Sequence, residues 1–146
     1  MLNLTTSVFT HPSSPNQSCL ITSNNATGNL DGMGVVVDIQ CTTLQYNVGV
    51  DVSGLADDVT LVVMNNSEEL IISNEGAFLF LTPILDEGNY DVQILLQPES
   101  PIQPCTSLNS SGDLNGSDIV DIEINCEVGD DLIYKQGFEE LPTLFN

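Results

Sequence analysis

Four cysteines stand in two pairs of nearly equal internal spacing, and the pairs lie one module apart. Cys105 follows Cys19 by 86 positions and Cys126 follows Cys41 by 85. Upstream of the first cysteines, Pro12-Ser13-Ser14-Pro15-Asn16-Gln17 aligns with Pro98-Glu99-Ser100-Pro101-Ile102-Gln103. Between the cysteines, Gly28-Asn29-Leu30-Asp31-Gly32 aligns with Gly112-Asp113-Leu114-Asn115-Gly116, and Asp38-Ile39-Gln40-Cys41 with Glu123-Ile124-Asn125-Cys126. That much shared order marks an internal repeat, which sets the unit of folding before any strand is assigned. The complete unit is residues 42–126, about 85 residues; residues 1–41 read as the C-terminal part of a preceding repeat, and 127–146 as a C-terminal tail. The first stretch holds about three strands of such a unit. Whether it packs on the complete unit, stays partly disordered or pairs with sequence outside the chain is open at this level.

Four cysteines allow three connectivities. Self-sufficient copies select Cys19–Cys41 and Cys105–Cys126, each closing a loop of a size worth about 3 kcal/mol in the chain-entropy treatment. Stable disulfides call for an oxidising compartment. Zinc is the rival reading, but no cysteine pair has the C-x₂₋₄-C spacing and the single histidine is His11. The start of the chain, Met1-Leu2-Asn3-Leu4-Thr5-Thr6, has neither a basic nor an apolar signal region. The expectation that reconciles this with the cysteines is a piece of a longer exported protein, extracellular or at the cell surface, the periplasm being the other compatible compartment.

Strands announce themselves by period-2 alternation between turn signals. Tyr46, Val48, Val50 and Val52 alternate with polar or small residues until Gly54, and 59–64 is a second run rich in β-branched residues. Asn65-Asn66-Ser67 turns it into Leu70-Ile71-Ile72 in hairpin fashion. Ser73-Asn74-Glu75-Gly76 precedes Phe78, Phe80 and Leu81; Asp86-Glu87-Gly88-Asn89 precedes Tyr90, Val92, Ile94 and Leu96, a face matched in the first copy by Leu4, Thr6, Val8 and Thr10. Pro98, Pro101 and Pro104 mark an edge or crossing loop, because proline cannot donate to a central ladder. The last strand, Ile119 to Cys126, sets Val120, Ile122 and Ile124 on one face. No window of ten or more residues carries a helical stripe. The fold class expected is all-β: an antiparallel Ig-like (Greek-key) β-sandwich of about seven strands, plus the partial repeat. Phe78, Phe80 and Tyr90 are expected in the core, and Gly54, Gly76 and Gly88 at turns that use positive φ.

The complete unit resembles a widespread bacterial extracellular repeat. The residues that carry the likeness are Val52-Ser53-Gly54-Leu55, Leu61-Val62-Val63-Met64-Asn65-Asn66 and Gly76-Ala77-Phe78-Leu79-Phe80. They continue as Leu85-Asp86-Glu87-Gly88-Asn89-Tyr90-Asp91-Val92-Gln93-Ile94, Gln97-Pro98 through Gln103-Pro104-Cys105, and Ile119 to Cys126. The G-x-F-x-F and G-x-Y-x-V portions are also similar to the broader immunoglobulin-like and prealbumin-like sandwich modules of surface proteins. The resemblance implies tandem modules serving as stalks or spacers in large secreted or surface proteins. In the tail, Asp131-Leu132-Ile133-Tyr134-Lys135-Gln136-Gly137-Phe138-Glu139 resembles a short G-F-E segment near the C-termini of some secreted bacterial proteins.

Charge excludes several functions. Against 21 acidic residues stands one cation, Lys135, and the formal net charge is −20. Phosphate backbones need cationic partners, so nucleic acid is excluded as a ligand, and anionic lipid surfaces are disfavoured. No stretch approaches the ~20 apolar residues that span a bilayer, so membrane insertion is not expected.

Catalytic constellations are equally thin. His11, the only base of its kind, lies in the partial copy aligned with Gln97, and no G-x-S-x-G elbow exists. Ser53 has no visible base partner, and the carboxylates at Asp57-Asp58 and Asp86-Glu87 fall in turns, where solvated acids are ordinary. Calcium is the most reasonable ligand to weigh, with Asp57, Asp58, Asp86, Glu87, Asp113, Asp118 and Asp121 as oxygen donors, but no EF-hand spacing occurs. Six sequons, at Asn3, Asn16, Asn25, Asn65, Asn109 and Asn115, are idle in a bacterial setting. The site residues expected are therefore the disulfide cysteines Cys19, Cys41, Cys105 and Cys126, with no catalytic, cofactor or metal residue. The expected function is a non-catalytic spacer whose partners are neighbouring repeats of the same or a longer chain. The alternative is a ligand-binding or adhesion module for an extracellular protein or glycan, disfavoured by the absence of tryptophan.

Overall fold

The structure is a computed structural model, and it describes residues 2–127. The tail residues 131–139, including Lys135, lie outside the described residues. Along the chain, β1 (Leu2–Thr5), β2 (Gln17–Ile21), β3 (Thr27–Leu30) and β4 (Ile39–Thr43) precede the short β5 (Gln45–Tyr46). Then come β6 (Val48–Ser53), β7 (Leu61–Asn65), β8 (Glu68–Ile72), β9 (Gly76–Leu79) and the short β10 (Ile84–Leu85). β11 (Asn89–Leu96), β12 (Cys105–Leu108), β13 (Ser111–Asp113) and β14 (Ile119–Cys126) complete the order. The one helical element among the described residues is a 3-10 turn, Asn24–Ala26, and no helix among them is long and apolar enough to cross a membrane.

Two four-stranded sheets, ordered β13-β11-β7-β8 and β12-β14-β6-β9, bury one common cluster. Val48, Val50 and Val52 of β6, with Ile122 and Ile124 of β14, come from one sheet; Leu61 and Val63 of β7, Ile72 of β8, and Tyr90 and Val92 of β11 come from the other. Period-2 alternation puts these side chains on the two inner faces, and burying branched aliphatic groups at roughly 25 cal/mol per Å² drives the closure. Phe80 and Tyr90 are in the cluster as expected, and Phe78 is half-buried against it. The strand pairs are antiparallel with one exception: β6 and β14 run parallel. They are separated by residues 54–118, a path long enough to supply the crossover that a parallel pair requires. The two sheets hold eight strands rather than about seven, with β5 and β10 clipped together beside them.

Irregularities redirect several expected faces. A register shift between Ile119 and Ile122 turns Val120 outward, 67% exposed, while Ile119 packs against the core. A second shift between Ile94 and Leu96 leaves Leu96 exposed after the regular Tyr90–Val92 alternation. Such bulges insert a residue into one strand and invert its facing beyond that point. Gly88, expected at positive φ, does not adopt it; Glu87 does, with φ 65°. Gly88 is instead a close approach, since a Cβ there would sit 2.6 Å from Ile84 Cγ2 and 2.8 Å from Leu85 O.

Residues 2–43 form two smaller ribbons, β1-β3 and β2-β4. Their registers follow those of the larger body. Asn3↔Asn29, Leu4↔Gly28 and Thr5↔Thr27 correspond to Asn89↔Asp113, Tyr90↔Gly112 and Asp91↔Ser111. Cys19↔Cys41, Leu20↔Gln40 and Ile21↔Ile39 correspond to Cys105↔Cys126, Thr106↔Asn125 and Ser107↔Ile124. The proline loops correspond too: Gln17 N donates to Pro12 O and Gln103 N to Pro98 O, each beside an isolated bridge (Ser13↔Asn16 and Glu99↔Ile102).

Candidate functional site

The cysteines pair within each ribbon: Cys19–Cys41 and Cys105–Cys126, with no free cysteine among the described residues. In both pairs the cysteines are directly opposite partners of an antiparallel ladder. Two disulfides of this kind point to an oxidising environment. The environment of the second pair explains how the edge strand is held. Gln97 lays its side-chain amide along Cys105 like a short strand, Oε1 accepting Cys105 N–H at 2.8 Å and Nε2 donating to Cys105 O at 2.9 Å. Cys105 is buried, so both backbone groups would otherwise lack partners. In the first pair His11 takes the corresponding place, its Nδ1 accepting Cys19 N–H at 2.9 Å. The sole histidine is thus engaged by its Nδ1 with a backbone amide rather than set beside a nucleophile.

Gln103 is a second buried amide. Its Oε1 accepts Ala56 N–H at 2.9 Å, and its Nε2 donates to Gly54 O at 3.0 Å and Glu127 O at 3.4 Å. One side chain therefore ties the Val52-Ser53-Gly54-Leu55 turn to the end of β14. Gly54 fits there because its φ is +74° and a Cβ would fall 2.0 Å from Cys126 O. The side chain of Gln17, aligned with Gln103, donates only to Thr43 Oγ1 at 3.1 Å.

The acidic candidates do not gather. Among the described residues no group of three or more His, Cys, Asp or Glu is placed to hold a metal ion. Asp118 accepts Asn47 N–H at 2.7 Å, and Asp57, Asp58, Asp113 and Asp121 are exposed. Asp86 departs from the solvated turn acid expected: it is 6% exposed, and both carboxylate oxygens are in use. Oδ2 accepts Asn16 N–H at 2.6 Å and Oδ1 accepts Gly116 N–H at 2.8 Å. Around it, Asp86 N–H donates to Leu44 O at 2.8 Å, Leu44 N–H donates to Asn16 O at 2.9 Å, and Ser14 Oγ donates to Glu87 Oε1 at 2.6 Å. The Asn16 amide, more than any other group, holds the Asp86 carboxyl below the usual carboxylate range; burial opposes it, and the Gly116 amide reinforces it. This cluster joins the loop before β2 to the turn before β11, across 70 residues of chain. The L-D-E-G turn was visible in sequence, but its partner Asn16 lay 70 residues away and gave no local signal.

Two other ionisable groups are structural. Burial of the Glu68 carboxyl raises its pKa, and the N–H groups of Leu81 (2.6 Å) and Thr82 (3.0 Å) outweigh this, leaving it lowered. Burial, reinforced by the Asp121 and Asp113 carboxylates, raises the Tyr90 pKa, and its hydroxyl donates to Asn109 O at 3.3 Å. Among the described residues an open cleft between Asp58 and Ser100, lined also by Thr60, Gln97 and Glu99, contains no histidine. Comparison with protein-family models, curated proteins and solved structures gave no match.

Proposed function

We propose that this chain is a non-catalytic spacer of a secreted or cell-surface bacterial repeat protein, built from Ig-like or prealbumin-like β-sandwich units joined end to end. The observation that carries the reading is the Asp86 joint. A buried carboxylate that accepts the backbone amides of Asn16 and Gly116 is suited to holding one unit at a fixed orientation on the next. That suits a stalk, in which neighbours transmit position, better than a binding tip. The equivalent registers of β1–β4 and β11–β14 support a repeated unit, and two ladder-bridging disulfides suit an exported chain. The engagement of His11 Nδ1 by Cys19 N–H and of the Asp86 carboxylate by two amides supports a structural role for both side chains.

The test is a binding screen of the whole chain against glycan arrays and matrix proteins, with and without calcium. A spacer gives no saturable binding. Saturable, competable binding to any member would replace this reading with that of an adhesion module.

A further inference from the structure

The ribbons of residues 2–43 match half of the larger body, and the larger body shows what covers the other half. β11 pairs with β13 on one edge and β7 on the other; β14 pairs with β12 on one edge and β6 on the other. β1 and β4 have the first neighbour and, among the described residues, lack the second. Side-chain exposure follows the difference. Ile124, beside β6 in the same sheet, is 0% exposed, whereas Ile39, its aligned position, is 55% exposed. Leu4 is only half-buried where the aligned Tyr90 is buried. The polar groups agree: Gln103 holds a Val-Ser-Gly-Leu turn, while Gln17 has only a neighbouring threonine.

We propose that the free edges of β1 and β4 are completed by strands of the β6–β9 kind from another unit of the same type. A β6-like strand of alternating β-branched residues adds parallel to β4, its V-S-G-L-like turn seats on Gln17, and a β7-like strand adds antiparallel to β1. The proposal rests on the repeat-module reading above. Its occupant follows from stoichiometry. The chain contains one such segment, residues 48–79, and two sets of edges that take it. That segment is already seated, with Val48, Val50 and Val52 at 0–2% exposed. A second copy of this chain could lend its segment only by uncovering its own β11 and β14, so exchange between copies leaves as many edges bare as before.

Alignment of Met1 with Glu87 gives a direct experiment. The sequence of residues 42–86 is appended immediately ahead of Met1 of the whole chain, in continuous register. Amide exchange in Leu2–Thr5 and Ile39–Thr43 should slow on the order of 100-fold or more relative to the natural chain, with the product monomeric. A control whose added copy carries V50D and V52D should show no slowing. Unchanged exchange in a product whose β11 and β14 amides stay protected overturns the proposal. So does a natural chain that sediments as a dimer with these amides already slow, since a second copy would then be the occupant. Where the appended chain loses protection in β11 and β14 as well, the segment is supplied to the natural chain as a free peptide of residues 45–85. Saturable one-to-one binding with slowed exchange supports the proposal, and no binding overturns it. Capture of a glycan or matrix protein in the earlier screen would remove the spacer reading and leave this result standing.

Discussion

His11 and Gln97, 86 positions apart, each accept the backbone N–H of the cysteine eight residues later. Different side chains thus perform one task, which separates the requirement (an acceptor over a buried edge-strand amide) from residue identity. Gln97 does more, because its Nε2 also serves Cys105 O. Gln97→Ala should therefore destabilise the chain by about 1–3 kcal/mol, the usual range for stranded buried groups. His11→Gln should be nearly neutral, and His11→Ala should mainly speed exchange of the Cys19 amide. Denaturant unfolding with amide exchange checks this series; an unaltered midpoint in Gln97→Ala would remove the strand-mimic role.

Asp86 faces two N–H donors and no acceptor, so only a carboxylate satisfies both. In Asp86→Asn the amide nitrogen must point at one of those donors. Exchange of the Asn16 and Gly116 amides should rise in Asp86→Asn nearly as much as in Asp86→Ala. The pH dependence has a definite sign. The folded pKa is depressed, so the contribution is full above the unfolded value, near pH 4, and is lost as pH falls through the folded value. Acid titration of the natural chain should loosen the Asn16 amide below about pH 4. Asp86→Asn should be loose throughout and lack that transition; persistence of the transition would assign it to another acid, such as Glu68.

Much of this was readable from residues, and what was not has a common physical cause. Alternation placed Val48, Val50, Val52, Ile122 and Ile124 in the core because it reports a local period. It misplaced Val120 and Leu96 because a bulge inverts the period without a marker in composition. The similar spacing of the two cysteine pairs pointed to the partners that the disulfides join. The parallel pairing of β6 with β14 and the burial of Asp86 depend on which distant segments become neighbours. An acidic turn residue reads as solvated until its partner 70 residues away is in view. Aligning Gln97 with His11 was available in sequence, but their shared task emerges only when both amide partners are located.

The two disulfides should differ in how readily they open. Cys105 and Cys126 are both buried, whereas Cys41 is exposed and only Cys19 is buried. Exchange requires access of a thiolate to sulfur. Under limiting reductant, timed alkylation and mass spectrometry should find Cys19 and Cys41 labelled first. Loss of the Cys105–Cys126 bridge should lower stability by about 3 kcal/mol, given its loop of ~20 residues. Labelling of Cys105 or Cys126 first, or recovery of a Cys41–Cys105 peptide from unreduced protein, would contradict the arrangement.

Gly54 and Gly76 both have positive φ, +74° and +130°, yet they should respond unequally to alanine. At Gly76 nothing lies within 4 Å of the added Cβ, so the cost is backbone strain alone, about 1–3 kcal/mol. At Gly54 the methyl would meet Cys126 O at 2.0 Å, and relief requires moving the end of β14. That movement also pulls on Gln103, which holds Gly54 O and Ala56 N. Gly54→Ala should therefore cost more than ~4 kcal/mol, in the range reserved for disrupted buried networks. Thermal unfolding should rank the natural chain above Gly76→Ala and Gly76→Ala well above Gly54→Ala. Equal losses would mean that φ alone selects glycine at position 54, and that the close approach of the Val-Ser-Gly-Leu turn to β14 carries no separate cost.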